Sequence, residues 1–188
     1  MKAWIQGLKV FIVFSLLLGI IYPLSITLVA KIFMPNQANG SLLYHQNRLI
    51  GSRLIGQKFM SLAYFQSRPS AVDYKADNSG ASNLGPTSKV LIAKVKERIA
   101  QLKLDNNLFK ATYIPQDVVL TSGSGLDPHI SLENALMQAQ RISQFRSISL
   151  RELQRLIKEN TEQDFFGFWG NKAVNVLTLN LALDLIKK

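Results

Sequence analysis

Four residues within eight positions carry the types used by a serine hydrolase. Ser122 and Ser124 offer hydroxyl nucleophiles, His129 an imidazole base and Asp127 a carboxylate to orient it. Such a triad is assembled by geometry rather than by closeness in sequence, and the strained G-x-S-x-G turn of many hydrolases is absent. Asp127 followed by Pro128 also reads as a helix N-cap with proline at the first helical position, which takes the carboxylate away from His129. The alternative reading kept from this cluster is a membrane-tethered hydrolase on the outer side, using Ser124 and His129. The same stretch, Ser122-Gly123-Ser124-Gly125, stands before that expected helix and could present backbone N–H groups to an anion. The phosphate-binding pattern G-x-x-x-x-G-K-[ST] is missing, and the first base downstream is Arg141. A tight turn needing glycine in the left-handed region is the commoner origin of such a segment.

The remaining inventory excludes more than it offers. The 188 residues hold no cysteine and two histidines, His45 and His129. Thiol chemistry, Cys-type zinc and iron–sulfur sites are therefore excluded, and a multi-histidine metal site is not expected. The formal charge is +10, which raises nucleic acid, anionic lipid or an acidic protein as partners. The bases are scattered and not interleaved with aromatics, so nucleic acid is not expected. The charge is also unevenly placed. All 12 acids lie beyond residue 34, whereas only Lys2, Lys9 and Lys31 of the 22 bases precede it. The chain beyond residue 34 therefore carries +7, which disfavours an exterior module built to collect cations.

Those candidate residues must be held by some fold, and the first element is a membrane span. No charge lies between Lys9 and Lys31, and residues 10–30 read VFIVFSLLLGIIYPLSITLVA. A helix of about 20 residues crosses the roughly 30 Å hydrocarbon core. Gly19 and Pro23 suit a membrane helix better than a soluble one, and Tyr22-Pro23 marks a face packed on protein. A cleaved signal sequence would have a shorter apolar run and a small-x-small end, which Leu28-Val29-Ala30 lacks. Lys2 and Lys9 on the short flank place the N-terminus in the cytoplasm. The expected organisation is a cytoplasmic N-terminus (1–9), a transmembrane helix (10–34), a Pro- and Gly-bearing linker (35–47) and a periplasmic α+β domain (48–188).

Within that domain, residues 48–56 read as a hairpin or bent strand and 59–65 as a short helix or strand. Residues 66–86 are a long polar loop, of a length usually reserved for function or an interface. Leu91, Val95, Ile99 and Leu102 predict a helix over 87–104. A strand is expected over 118–120 after Ile114-Pro115. The helix opened by Asp127 should bury Leu132, Leu136, Ala139 and Ile142. Ser149 to Glu152 forms a capping box for another helix. Gly167 and Gly170 mark a loop, 174–181 partly alternates like a strand, and a short helix ends the chain. The fold class is a single N-terminal transmembrane helix followed by a mixed α+β domain with a small sheet.

Taken together, Tyr22-Pro23 in the span, QANGSL (37–42), GSRLIGQ (51–57), YFQSRPSA (64–71), SGASNLGPTS (79–88), SGSGLDPHIS (122–131) and VNVLTLNLALD (174–184) resemble the C subunit of the bacterial high-affinity potassium-transporting ATPase, the Kdp system. The resemblance implies an accessory, non-catalytic subunit of an inner-membrane pump. Its partners would be a potassium-conducting subunit, a P-type ATPase subunit and a small single-helix subunit. Families of this kind are described as catalytic chaperones that raise the ATP affinity of the ATPase subunit. In that account Ser122, Gly123, Ser124, Gly125, Gln138 and Arg141 resemble a nucleotide-contacting set. A periplasmic domain could not meet cytoplasmic ATP, so the chain has no cofactor of its own and ATP enters only through the complex. Partner contacts are expected at Tyr22 and Pro23, at Arg68 and Pro69, and at Ser79, Asn83 and Gly85. Two positions depart from the family pattern: Asn160 where histidine is usual, and Asn171-Lys172-Ala173 in place of an acidic-Pro-basic run.

Overall fold

The computed structural model describes residues 2–106, 113–162 and 170–186. The chain divides into two compact units, Met1–Ser52 and Arg53–Lys188.

The first unit begins with one apolar helix, Lys2–Phe33, long and apolar enough to cross a membrane. It consists of α1 (Lys2–Leu16), a π-helical turn (Leu17–Ile21) and α2 (Tyr22–Phe33). The π turn has a chemical cause. Pro23 has no N–H to give to the carbonyl four residues back, so an α-helical ladder fails there. Widening the turn lets the Tyr22 N–H reach the Leu17 carbonyl, five residues back. The hydroxyls of Ser25 and Thr27 donate to the carbonyls of Ile21 and Pro23, each at 2.8 Å. Helical turn α3 (Pro35–Ala38) and strand β1 (Leu42–His45) lie in the stretch expected as a linker. β1 pairs antiparallel with β2 (Arg48–Ser52). The two-residue turn between them is Gln46-Asn47, both at positive φ, which matches the twist of a hairpin.

In the second unit no helix or strand occurs before α4 (Lys89–Asp105). That helix starts where Ser88 accepts from the Leu91 N–H, close to the expected boundary. The expected strand at 118–120 is instead a helical turn, α5 (Gln116–Val119), launched by Pro115. The helix expected at Asp127 begins later. Residues His129–Ser131 form β3, and Ser131 caps α6 (Leu132–Arg146) by accepting from the Asn134 N–H. Asp127 instead turns the chain into β3 by accepting from the His129 N–H at 3.0 Å. The capping box at Ser149 opens α7 (Leu150–Glu159) as expected. β4 (Thr161–Glu162) and β5 (Ala173–Asn175) complete an antiparallel sheet of order β3-β5-β4. The strand expected over 174–181 stops at Asn175, whose side chain caps α8 (Val176–Asp184). Gly170 lies between β4 and β5; the turn expected at Gly167 lies outside the described residues.

The core gathers Phe65, Ile130, Ala135, Ala139, Ile142, Leu153, Ile157, Val174, Val176, Leu179 and Leu183. The buried face of α6 differs from the expected one. Asn134, Gln138 and Arg141 are buried beside Ala135, Ala139 and Ile142, while Leu136 is exposed and Leu132 only borders the core. The reason lies in residues 59–65, which are neither helix nor strand. The segment turns at residues 62–64 and reaches the core at Phe65 without a partner strand, so its backbone polar groups need partners from side chains. Asn180 on α8 accepts from the Phe65 N–H and donates to the Phe65 carbonyl, both at 2.9 Å. Gln138 does the same for Gln66, at 2.8 and 3.1 Å. Arg141 donates to the carbonyls of Leu62 and Tyr64, to Asn106 Oδ1 and to Gln138 Oε1. Arg146 donates to the Ala63 carbonyl at 2.9 Å.

Substituting Asp for Asn180 tests this stitching with almost no change of shape. A protonated Asp can still donate to the Phe65 carbonyl, but an ionised one only accepts. Burial and the facing carbonyl raise the folded-state pKa of the new acid, so its stability contribution fades as pH rises through that value. Asn180→Asp should destabilise by ~3 kcal/mol at pH 7.5 and by much less at pH 4, measured by denaturant unfolding of the full chain.

Candidate functional site

The Ser122–Gly125 turn does not open a helix; it leads through Asp127-Pro128 into β3. It packs against the long loop instead. The Ser124 carbonyl accepts from the Gly80 N–H at 2.8 Å and from the Ser79 hydroxyl at 3.1 Å. The Gly125 carbonyl accepts from the Ser70 hydroxyl at 2.7 Å. Ser122 is buried. Gly125 has φ +71, and a Cβ there would stand 2.7 Å from both the Gly80 oxygen and Val72 Cγ2. A second contact comes from Gly56, whose N–H donates to the Leu126 carbonyl at 2.7 Å.

Several expected residues converge here. Ser79 and the four residues of the turn are in direct contact, and Arg68 joins them through Asp127. Pro69 lines a small cleft of about 180 Å³ together with Gln66, Arg98, Asn134 and Gln138. Asn83 is exposed with φ 51, and the Gly85 carbonyl accepts from the Ser88 N–H. Gln138 and Arg141 stand apart from the glycine turn as partners of residues 62–66. Burial lowers the Arg141 pKa to about 10, against a smaller opposing pull from Asp105, which leaves the guanidinium charged at neutral pH. Tyr22 and Pro23 belong to the first unit, where no residue of α1 or α2 is buried.

The hydrolase geometry does not form. The Ser124 hydroxyl oxygen accepts from the Leu126 N–H at 3.1 Å, and no hydrogen bond joins Ser124 to His129 among the described residues. His129 lies between two carboxylates instead. Its Nδ1 is 3.6 Å from Asp127 Oδ1, and its Nε2 is 3.4 Å from Glu162 Oε2, an ion-pair approach rather than an aligned hydrogen bond. Asp127 is held in turn by Arg68 at 2.9 Å and Glu162 by Arg53 at 2.7 Å. The result is a row of alternating charge, Arg68–Asp127–His129–Glu162–Arg53. The close approach of the Asp127 carboxylate raises the His129 pKa above its ordinary value, burial opposing and Glu162 assisting. For Asp127 burial works upward, but the bonds from His129 and Arg68 outweigh it and hold the carboxyl low. Glu162 shows the same pattern, with Arg53 and His129 prevailing over burial.

Sequence reasoning found Arg68, Asp127 and His129 and missed Arg53 and Glu162. These two lie far from the motif in the chain and on segments with no distinctive spacing. It also missed Asp117, which accepts from the Ser131 N–H and hydroxyl and from Asn134 Nδ2 at 2.8–3.0 Å.

Adjacent glycines give a direct test of the packed turn. Gly125→Ala should destabilise by ~1–3 kcal/mol, because backbone oxygen and Val72 stand where the methyl would go. Gly123 has open space around it and no positive φ, so Gly123→Ala should stay within about 0.5 kcal/mol of the parent. Thermal unfolding of the two variants side by side measures the difference.

Residues 4–185 match the family model described as K+-transporting ATPase, c chain, KdpC. The potassium-transporting ATPase KdpC subunit of Mycobacterium tuberculosis (strain H37Rv) is 48% identical over 182 residues, covering 96% of each chain. That of Gloeobacter violaceus is 49% identical over 171 residues, 90% of this chain and 89% of the relative. That of Beijerinckia indica is 46% identical over 175 residues, 92% of this chain and 88% of the relative. With a charged row in place of a triad, one apolar span ahead of an α+β unit, and a match that runs almost from end to end, this chain belongs to the KdpC family.

Proposed function

We propose that the chain is an accessory subunit of a potassium-transporting ATPase, tethered by residues 2–33 and without a catalytic centre of its own. The observation that carries this reading is the family match over residues 4–185. Its partners are a potassium-conducting subunit, a P-type ATPase subunit and a small single-helix subunit. The span supports a role in assembly: every large apolar side chain along α1 and α2 is exposed, so lipid or partner helices must cover it. Tyr22 and Pro23, beside the π turn, are the first contacts we assign to a neighbouring helix. Lys2 and Lys9 set the N-terminus in the cytoplasm, and Arg53–Lys188 stands on the periplasmic side of the inner membrane.

From there the chain raises the ATP affinity of the ATPase subunit by holding the complex in a competent arrangement, not by touching nucleotide. An indirect route is supported by Gln138 and Arg141, whose side chains are bonded to residues 62–66. Arg68, Pro69, Ser79, Asn83 and Gly85 then shape the surface offered to the potassium-conducting subunit.

Deleting the chain should abolish growth at very low external potassium and remove the other subunits from a membrane co-purification. Normal growth with an intact complex overturns the reading. In purified complexes, loss of the chain should raise the KM for ATP by about tenfold, the usual scale of a coupling free energy. ATP photolabelling of this chain from the cytoplasmic face of sealed vesicles overturns the orientation and the indirect route together.

A further inference from the structure

The charged row around His129 is not explained by assembly alone. Its placement is dictated by the sheet register. His129 pairs with Asn175, and Glu162 pairs with Ala173, so β3 and β4 flank β5. Alternation puts Ile130 and Val174 on the buried face, and His129, Ala173 and Glu162 on the other. In that register the β5 partner of His129 is Asn175 and that of Glu162 is Ala173, so the two side chains lie diagonally across β5, where their charged atoms approach to 3.4 Å.

The chemistry of that meeting is one-sided. An ionised carboxylate only accepts hydrogen bonds, whereas a neutral imidazole has one donor and one acceptor nitrogen. With Asp127 at Nδ1 and Glu162 at Nε2, a neutral ring must turn a lone pair toward one of the carboxylates. Only the imidazolium is attracted by both. The guanidinium groups of Arg68 and Arg53 keep the two carboxylates ionised. Among the described residues, the other charged or titratable groups around His129 line a shared cleft of about 450 Å³: Tyr113, Asp117 on α5, Glu133 on α6 and Lys172 just before β5. Asp117 is occupied by Ser131 and Asn134, and Lys172 balances Glu133 in charge, so these groups leave Asp127 and Glu162 as the governing pair.

We propose that His129 is a proton-operated clasp that fastens the edge strand β4 and the Asp127 turn to each other diagonally across β5. Among the described residues β4 comprises Thr161 and Glu162 and pairs with β5 alone, at the edge of the sheet, where local opening is easiest. The sign is set by the raised pKa of His129. The clasp is complete below the ordinary histidine value of 6.5 and is released as pH rises through the folded-state value. On the acid side the lowered carboxylates hold it until pH falls below their ordinary values of 3.8 and 4.5. The full clasp therefore spans about pH 4.5 to 6.5, and alkaline medium opens it.

The test uses the full chain in lipid nanodiscs. With only two histidines in the sequence, the His129 ring is assigned by comparison with His45→Asn. Its titration midpoint should lie above 6.5 and fall in Glu162→Gln. Hydrogen exchange of β4, corrected for intrinsic rates, should be about threefold or more faster at pH 8.5 than at pH 5.5. That ratio should collapse toward one in both Glu162→Gln and His129→Asn. A parent ratio of one, a midpoint below 6.5, or an unchanged ratio in Glu162→Gln would each overturn the clasp.

Discussion

The constraint on which this domain depends is a segment without regular structure, residues 62–66, that reaches the core at Phe65 with no strand beside it. Phe65 is fully buried. A buried backbone without a ladder leaves each N–H and C=O to find a partner or to impose a desolvation cost of about 1–3 kcal/mol. Here side-chain amides act as the missing strand. Asn180 and Gln138 each present one donor and one acceptor to a single residue's backbone, while Arg141 and Arg146 collect the carbonyls at 62, 63 and 64. Two helices distant in sequence are thereby locked to one segment. Three buried polar residues, Gln138, Arg141 and Asn180, thus have the backbone of this segment as a partner.

This changes how the motif at 122–131 is understood. Its glycines and serines allow one loop to lie against another. The long stretch between Ser52 and Lys89 has no regular element, yet it supplies Gly56, Arg68, Ser70, Ser79 and Gly80 to the turn, and Phe65 to the core. Long loops without secondary structure need such dense local bonding to remain ordered. Tyr74 contributes as well: its hydroxyl donates to the Arg68 carbonyl, and burial with the neighbouring Asp73 pushes its pKa up to about 12. Arg68 is thus positioned through its backbone and through Asp127.

Much of the architecture is legible in the residues. The apolar span, the 89–105 helix, the capping box at Ser149 and the long loop emerge from periodicity and cap chemistry, which act locally. The errors share a different origin. Asp127-Pro128 has the form of a helix start, but the same Asp can accept from the N–H two residues on, and the tertiary partner Arg68 favours that use. Periodicity places Leu136 inside because it weighs apolarity, and it cannot register a buried backbone that needs an amide such as Gln138. VNVLTLNL alternates only as far as Asn175; there a side chain suited to an N-cap converts strand to helix. Of the charged row, Asp127 and His129 are visible as neighbours in the chain, while Glu162 and Arg53 become their partners only through the register of β4 on β5.

The π turn at Leu17–Ile21 has a geometric consequence for the span. An α-helix turns about 100° per residue, so one residue added to a single turn rotates everything beyond it by that angle. Rows of side chains that run along α1 at spacings of three and four do not continue along α2. The helix therefore presents two independent azimuths, one set by the residues up to Leu16 and another by those from Tyr22 onward. A neighbouring helix laid straight along it would meet one row in one leaflet and a different row in the other. Uniform apolarity hides this offset in the sequence, and a single proline is enough to create it.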